Sequence, residues 1–203
     1  MTKNDAENIV YELAKGKKMG GRPYSFSHIK NAALLAENIA NACGLNAEKA
    51  YVLGLLHDVG RFFVIDENNE LIFSDKHRHP IEGYLYLKKI GYVGEARVCI
   101  THAFLYQKNS YAHMYTEIEK EIISQVLSQD YDIYDLLIQL TDEMSVLEGW
   151  CTLETRLARE ALQHGYERAE WEKFIRLHEI KKLFDKHAKK DIYSFIMDNI
   201  LFA

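Results

Sequence analysis

Apolar residues recur at three- and four-residue intervals along nearly the whole chain, the spacing of helices that bury one face. The first such stretch, 5–16, ends in Gly16-Lys17-Lys18, and Met19-Gly20-Gly21-Arg22-Pro23 after it reads as a flexible connection. A longer helix is predicted over 25–43, with His28, Ala32, Leu35 and Ile39 on one stripe and Gly44 as its stop. Asn46 is suited to cap the next helix, and Glu48 in its first turn favours the helix dipole. Ala50, Leu53, Gly54 and His57 share the inner stripe there, so His57 extends a buried face.

The polar run 66–70 predicts a solvated loop, and 71–73 a short extended or packed piece. Pro80 suits a first helical position, where its missing N–H does no harm, and the helix should run to residue 89. Further helices are predicted over 94–104, 116–128, 132–147, 152–164, 169–187 and 189–200, with 107–115 as a loop. No repeat, low-complexity tract or long linker divides the chain. With 2 prolines and 11 glycines it has few turns for a sandwich or barrel. The expected fold is all-α: a single helical bundle spanning 1–203.

Composition narrows the function. Length of 203 residues, 48% hydrophobic and 27% charged, is ordinary for one soluble globular domain. A net charge of -5 argues against binding of nucleic-acid polymers, which are held by Lys and Arg. No segment is apolar for long enough to span a bilayer, and the polar first eight residues lack a signal peptide's apolar core. Cys43, Cys99 and Cys151 are odd in number and far apart, as reduced, packed thiols are. A cytoplasmic protein is expected, with homo-oligomerisation left open.

The chemistry concentrates in Leu53-Gly54-Leu55-Leu56-His57-Asp58-Val59-Gly60-Arg61. A carboxylate at the end of an apolar helix needs a partner if it is buried. A divalent metal ion accounts for histidine and aspartate together, since imidazole nitrogen and carboxylate oxygen are ordinary ligands. His28 upstream, and His79, His102 and Asp142 downstream, stand beside apolar helical stretches. Asp142 follows Leu136, Leu137, Ile138 and Leu140; taken alone, it reads equally as a solvent-facing residue, as Asp132, Asp135 and Glu143 nearby do. His77 competes with His79, while His113, His164, His178 and His187 lie in polar surroundings and read as surface histidines.

This order of His28, His57-Asp58, His79, His102 and Asp142 resembles the HD superfamily of metal-dependent phosphohydrolases. His79-Pro80 with Gly83 nearby, His102 closing Val98-Cys99-Ile100-Thr101, and Gln139-Leu140-Thr141-Asp142 resemble the later motifs of its six-ligand, dinuclear members. The resemblance implies an HD-type bundle with its motif-bearing core at about 22–160 and the helices of 165–203 packed on it. His28, His57, Asp58 and Asp142 would hold one ion, and His79 and His102 a second, with Asp58 bridging. The metal is left open among iron, manganese, zinc, nickel and magnesium. Two divalent ions against two carboxylates leave a local charge of about +2, attractive to phosphate. Asp58 and Arg61 are the implied catalytic residues; Arg61, at i+4 from His57, would hold a phosphate oxygen, although it also reads as a surface arginine at a helix end. Arg156 is a second phosphate candidate, with a salt bridge to Glu154, Glu160 or another acid as the alternative. Arg22 departs from the family, whose arginine stands nearer the first histidine. The implied substrate is a small phosphorylated molecule such as a nucleotide. The rivals are a mixed-valent di-iron oxygenase of the same fold and a regulatory module without catalysis.

Overall fold

The computed structural model describes residues 1–23, 26–72, 78–105, 114–165 and 168–197. Among them the chain is all-α, and its only strands are two ribbons of two residues per strand. Helix α1 (Lys3–Ala14) begins at a capping box, Thr2 and Asp5 each satisfying the other's backbone N–H. Helix α2 (Ser27–Ala42) buries Ile29, Ala32, Ala33, Leu35, Ala36, Ile39 and Ala40. Helix α3 (Ala47–Leu56) is capped by Asn46, whose Oδ1 accepts from Lys49 N at 2.9 Å. Every residue from Ala50 to Leu56 is buried, so α3 is the central helix.

Small residues let α2 approach α3: a Cβ on Gly54 would lie 2.7 Å from Ala33 Cα. Beyond α3 the chain tightens through His57 and Asp58 into a 3-10 segment, Val59–Phe63. That segment abuts α4 (His79–Lys89), which packs on α5 (Val93–Thr101). Helices α6 (Glu117–Leu127) and α7 (Ile133–Glu143) follow, α7 lying against α2 and α3. The main core joins α1, α2, α3, α7 and the inner face of α9. A smaller one gathers Ile81, Ile100, Phe104, Tyr115, Ile123, Val126 and Leu127. Helices α8 (Leu153–His164) and α9 (Arg168–Ala188) pack on each other, α9 also touching α7 and α2, and α10 (Ser194–Met197) touches α2.

Three expectations need correction, the first being the helix over 189–200: among the described residues only Ser194–Met197 is helical there. The segment 18–23 is a hairpin rather than a loose connection: β1 (Lys18–Met19) pairs antiparallel with β2 (Arg22–Pro23). Gly20 and Gly21, at φ 58° and 76°, supply the two left-handed positions of a tight turn. The helix predicted to reach 147 ends at Glu143, and β3 (Ser145–Val146) then pairs with β4 (Gly149–Trp150). Side-chain bonds outweigh helical continuation there: Asn31 Nδ2 donates to Val146 O at 2.8 Å, and Trp150 Nε1 donates to Asn31 O at 2.8 Å. Isolated bridges join Lys18 to Glu70 and Ile65 to Leu71; Phe73, and the predicted loop at 107–113, lie outside the described residues.

Gly60 is the tightest point of the fold. A Cβ there would lie 1.8 Å from His79 O and 2.6 Å from Gly83 N, backbone atoms that cannot swing away. Gly60→Ala is expected to destabilise the chain by about 1–3 kcal/mol or more. Gly94→Ala, with nothing within 4 Å of the new methyl and a place inside α5, should instead stabilise by about 0.4–1 kcal/mol. Urea unfolding of the two variants checks both signs.

Candidate metal centre

Helix ends supply all six candidate side chains. His28 stands in the first turn of α2, His79 at the start of α4, His57 and His102 at the C-caps of α3 and α5, Asp142 in the last turn of α7. Asp58 follows His57 directly. The packing of α2, α3, α4, α5 and α7 therefore delivers these residues to a common point.

They gather as two triads, His28 with His57 and Asp142, and Asp58 with His79 and His102. Within the first, His28 Nε2 and His57 Nε2 lie 3.0 and 3.4 Å from Asp142 Oδ1. Within the second, His79 Nε2 and His102 Nε2 lie 3.1 and 3.5 Å from Asp58 Oδ1. The other oxygen of Asp58, Oδ2, faces the first triad, 3.8 Å from both His28 Nε2 and His57 Nε2. One carboxylate thus turns a separate oxygen to each group.

The imidazoles are oriented from behind. His57 Nδ1 donates to Gly54 O at 2.6 Å, His102 Nδ1 to Val98 O at 2.9 Å, and His28 Nδ1 to Ser145 O at 3.2 Å. A carbonyl only accepts, so each of these Nδ1 atoms carries the hydrogen and leaves an Nε2 lone pair aimed at the centre. His57 Nε2 and Asp58 Oδ1 are buried without any hydrogen bond of good geometry. Lone pairs and carboxylate oxygens crowded in this way fit cations. Asp142 is not solvent-facing, with four-fifths of its side chain covered.

Residues 25–147, more than half of the chain, match the HD domain family. The chain belongs to the HD domain family. The matched span holds all six of these residues, and the family is generally one of metal-dependent phosphohydrolases. No curated protein and no solved structure gives a match.

Electrostatics in the HD centre are set by burial against charge. Burial raises the Asp58 pKa, but Arg61, His57 and His79 outweigh it and hold the carboxyl well below its usual range. Arg61 Nε donates directly to Asp58 Oδ2. Burial likewise opposes ionisation of Asp142, yet His57 and His28 hold it well below its usual range. Burial, then the Arg61 charge, drive His79 down to about 4. His102 is also penalised by burial, but its bond to Asp58 and the charges of Asp58 and Asp142 raise it.

Outside the centre, a cleft of about 310 Å³ opens over His28, Asp58 and Arg61, with Arg156, Arg159 and Val146 on its walls. Arg61 is therefore not merely a surface arginine. Arg156 Nε lies 3.5 Å from Glu143 and 3.2 Å from Glu160. Asp135, expected as a surface residue, is buried and held by Arg97 and Thr101. His178 bonds Glu154 at 2.9 Å and lies against Phe174, so it too is more than a surface histidine. His77 and His113, and the side chains of Arg22 and His164, lie outside the described residues. Sequence reasoning missed Arg159, whose only signal was its place three residues beyond Arg156, and the Ser145 carbonyl behind His28, which no residue type announces.

The two neighbouring histidines should titrate apart. In metal-free protein His79 should stay neutral until the pH falls to about 4, whereas His102 should keep its proton above the ordinary histidine value. Imidazole NMR titration, with His79→Asn and His102→Asn for assignment, reads both. Because the His102 proton must leave before Nε2 can bind a cation, metal affinity should rise with pH across its titration.

Proposed function

We propose that this HD domain is a metal-dependent phosphohydrolase of the dinuclear type, acting on a small phosphorylated substrate, a nucleotide. The observation that carries the reading is the placement of Asp58, with one oxygen toward His28, His57 and Asp142 and the other toward His79 and His102. Four imidazoles and two carboxylates suit iron, manganese, zinc, nickel or magnesium. His28, His57, Asp142 and Asp58 Oδ2 would hold one ion, and His79, His102 and Asp58 Oδ1 the other. When bound, such ions lower the pKa of a coordinated water toward neutrality and offset charge on phosphoryl oxygens.

The chain's own residues do the rest. Asp58 fixes Arg61 through the Nε bond, and the planar, permanently charged guanidinium at the cleft is suited to a phosphate oxygen. The carbonyls of Gly54, Val98 and Ser145 lock three rings in the tautomer that leaves Nε2 available. Arg156 also lines the cleft, but Glu143 and Glu160 flank it. We assign it to holding α8 against the end of α7 in preference to holding phosphate. Among the described residues no helix is long and apolar enough to cross a membrane, and three unpaired cysteines support a reducing compartment, the cytoplasm.

Protein purified without chelator should carry two metal ions per chain by elemental analysis. His79→Ala and His102→Ala should each remove one ion with helical content unchanged, and Asp58→Ala should remove most of both. Arg61→Ala should keep both ions yet slow phosphate release from a nucleotide panel on the order of 10²-fold. Full metal content in Asp58→Ala overturns the bridging role. Bound iron with oxygen consumption and no phosphate release from any nucleotide overturns the hydrolase in favour of the oxygenase.

A further inference from the structure

The cleft is longer than the metal centre needs. From His28, Asp58 and Arg61 it continues along one face of α8, where Arg156, Arg159, Glu160 and Gln163 all line it. Their spacing of three or four residues makes a single ridge. The two α8 arginines differ in how they are held. Arg156 has its Nε buried between Glu143 and Glu160. Arg159 has 46% of its side chain exposed, and its ion pair is a 3.6 Å approach to Glu148, itself 69% exposed. Pairs of that kind are weak and exchange readily for a better partner.

We propose that Arg159 is a specificity-determining residue that binds a second phosphate of the substrate, so that the site favours molecules with two linked phosphates over monoesters. This rests on the phosphohydrolase reading and adds to it. Arg61 and the six-residue centre mark where the reacting phosphoryl group sits, and Arg159 lies beyond it in the same cleft. A bidentate guanidinium contact matches phosphate geometry in a way a lysine does not. Glu148, on the turn of the β3–β4 hairpin, holds the guanidinium at the wall until phosphate replaces it.

Two non-hydrolysable probes separate the positions: methylphosphonate, with one phosphonate, and methylenediphosphonate, with two. Their binding to metal-loaded chain is measured by titration calorimetry at fixed divalent ion concentration. Arg159→Ala should weaken methylenediphosphonate about 10-fold, the scale of one charge-assisted hydrogen bond, and leave methylphosphonate within twofold. Arg159→Lys should recover part of the loss. Arg168→Ala removes the same charge from a 91% exposed position and should change neither. An equal loss for both probes, no loss for either, an equal loss in Arg168→Ala, or a wild type that binds neither probe overturns the assignment. Binding is read without turnover, so the two readings fail separately. If Arg159 discriminates the probes in a chain that hydrolyses no phosphate compound, the assignment stands and the hydrolase falls. If the chain hydrolyses nucleotides and Arg159→Ala is silent, the reverse holds.

Discussion

The carboxylate of Asp58, with 1% of its side chain exposed, is the constraint on which the rest of this fold depends. A charge so deep is unfavourable without partners, and four separate elements converge on it, one with the permanent charge of Arg61 and three with imidazole rings. Arg61 comes from the 3-10 segment, His79 from the start of α4, His102 from the end of α5 and His28 from the start of α2. None of these elements could be displaced without leaving the carboxylate underpartnered. The centre is thus a junction where four elements are tied together as well as a site for chemistry.

Close backbone approach makes that convergence feasible. Gly54 lets α3 settle onto Ala33 of α2, and Gly60 and Gly83 let the 3-10 segment meet α4. The glycine after His57-Asp58 is there because His79 O occupies the space a methyl would need. Within α3, Gly54 O also accepts from His57 Nδ1, so that residue serves both the packing and the orientation of a ring.

Much of this was legible in the linear pattern. Helices with strong apolar stripes, such as α2 and α7, announce themselves because one face must be buried, and histidines or aspartates set against such stripes stand out as misplaced unless they act. Asn46 was legible as a cap because its side chain solves a local problem. The β3–β4 hairpin was not: apolar spacing continues through Leu147, and only bonds from Asn31 and Trp150, more than a hundred residues apart, stop the helix at Glu143. Asp135 was hidden for the same reason, since its partners Arg97 and Thr101 belong to another helix. Arg159 carries no signal until α8 is placed beside the cleft.

The hairpin ties two parts of the molecule into one piece. Its Ser145 carbonyl orients His28, its Val146 and Glu148 wall the cleft, and Asn31 clasps it to α2. A change in that wall would therefore tilt a ring at the heart of the centre. Helix α8 is different: it begins after residue 147, where the family match ends, and it offers its side chains to the cleft while contributing none of the six central residues. A substitution on the cleft face of α8 can therefore alter what the cleft admits without touching any of the six central side chains.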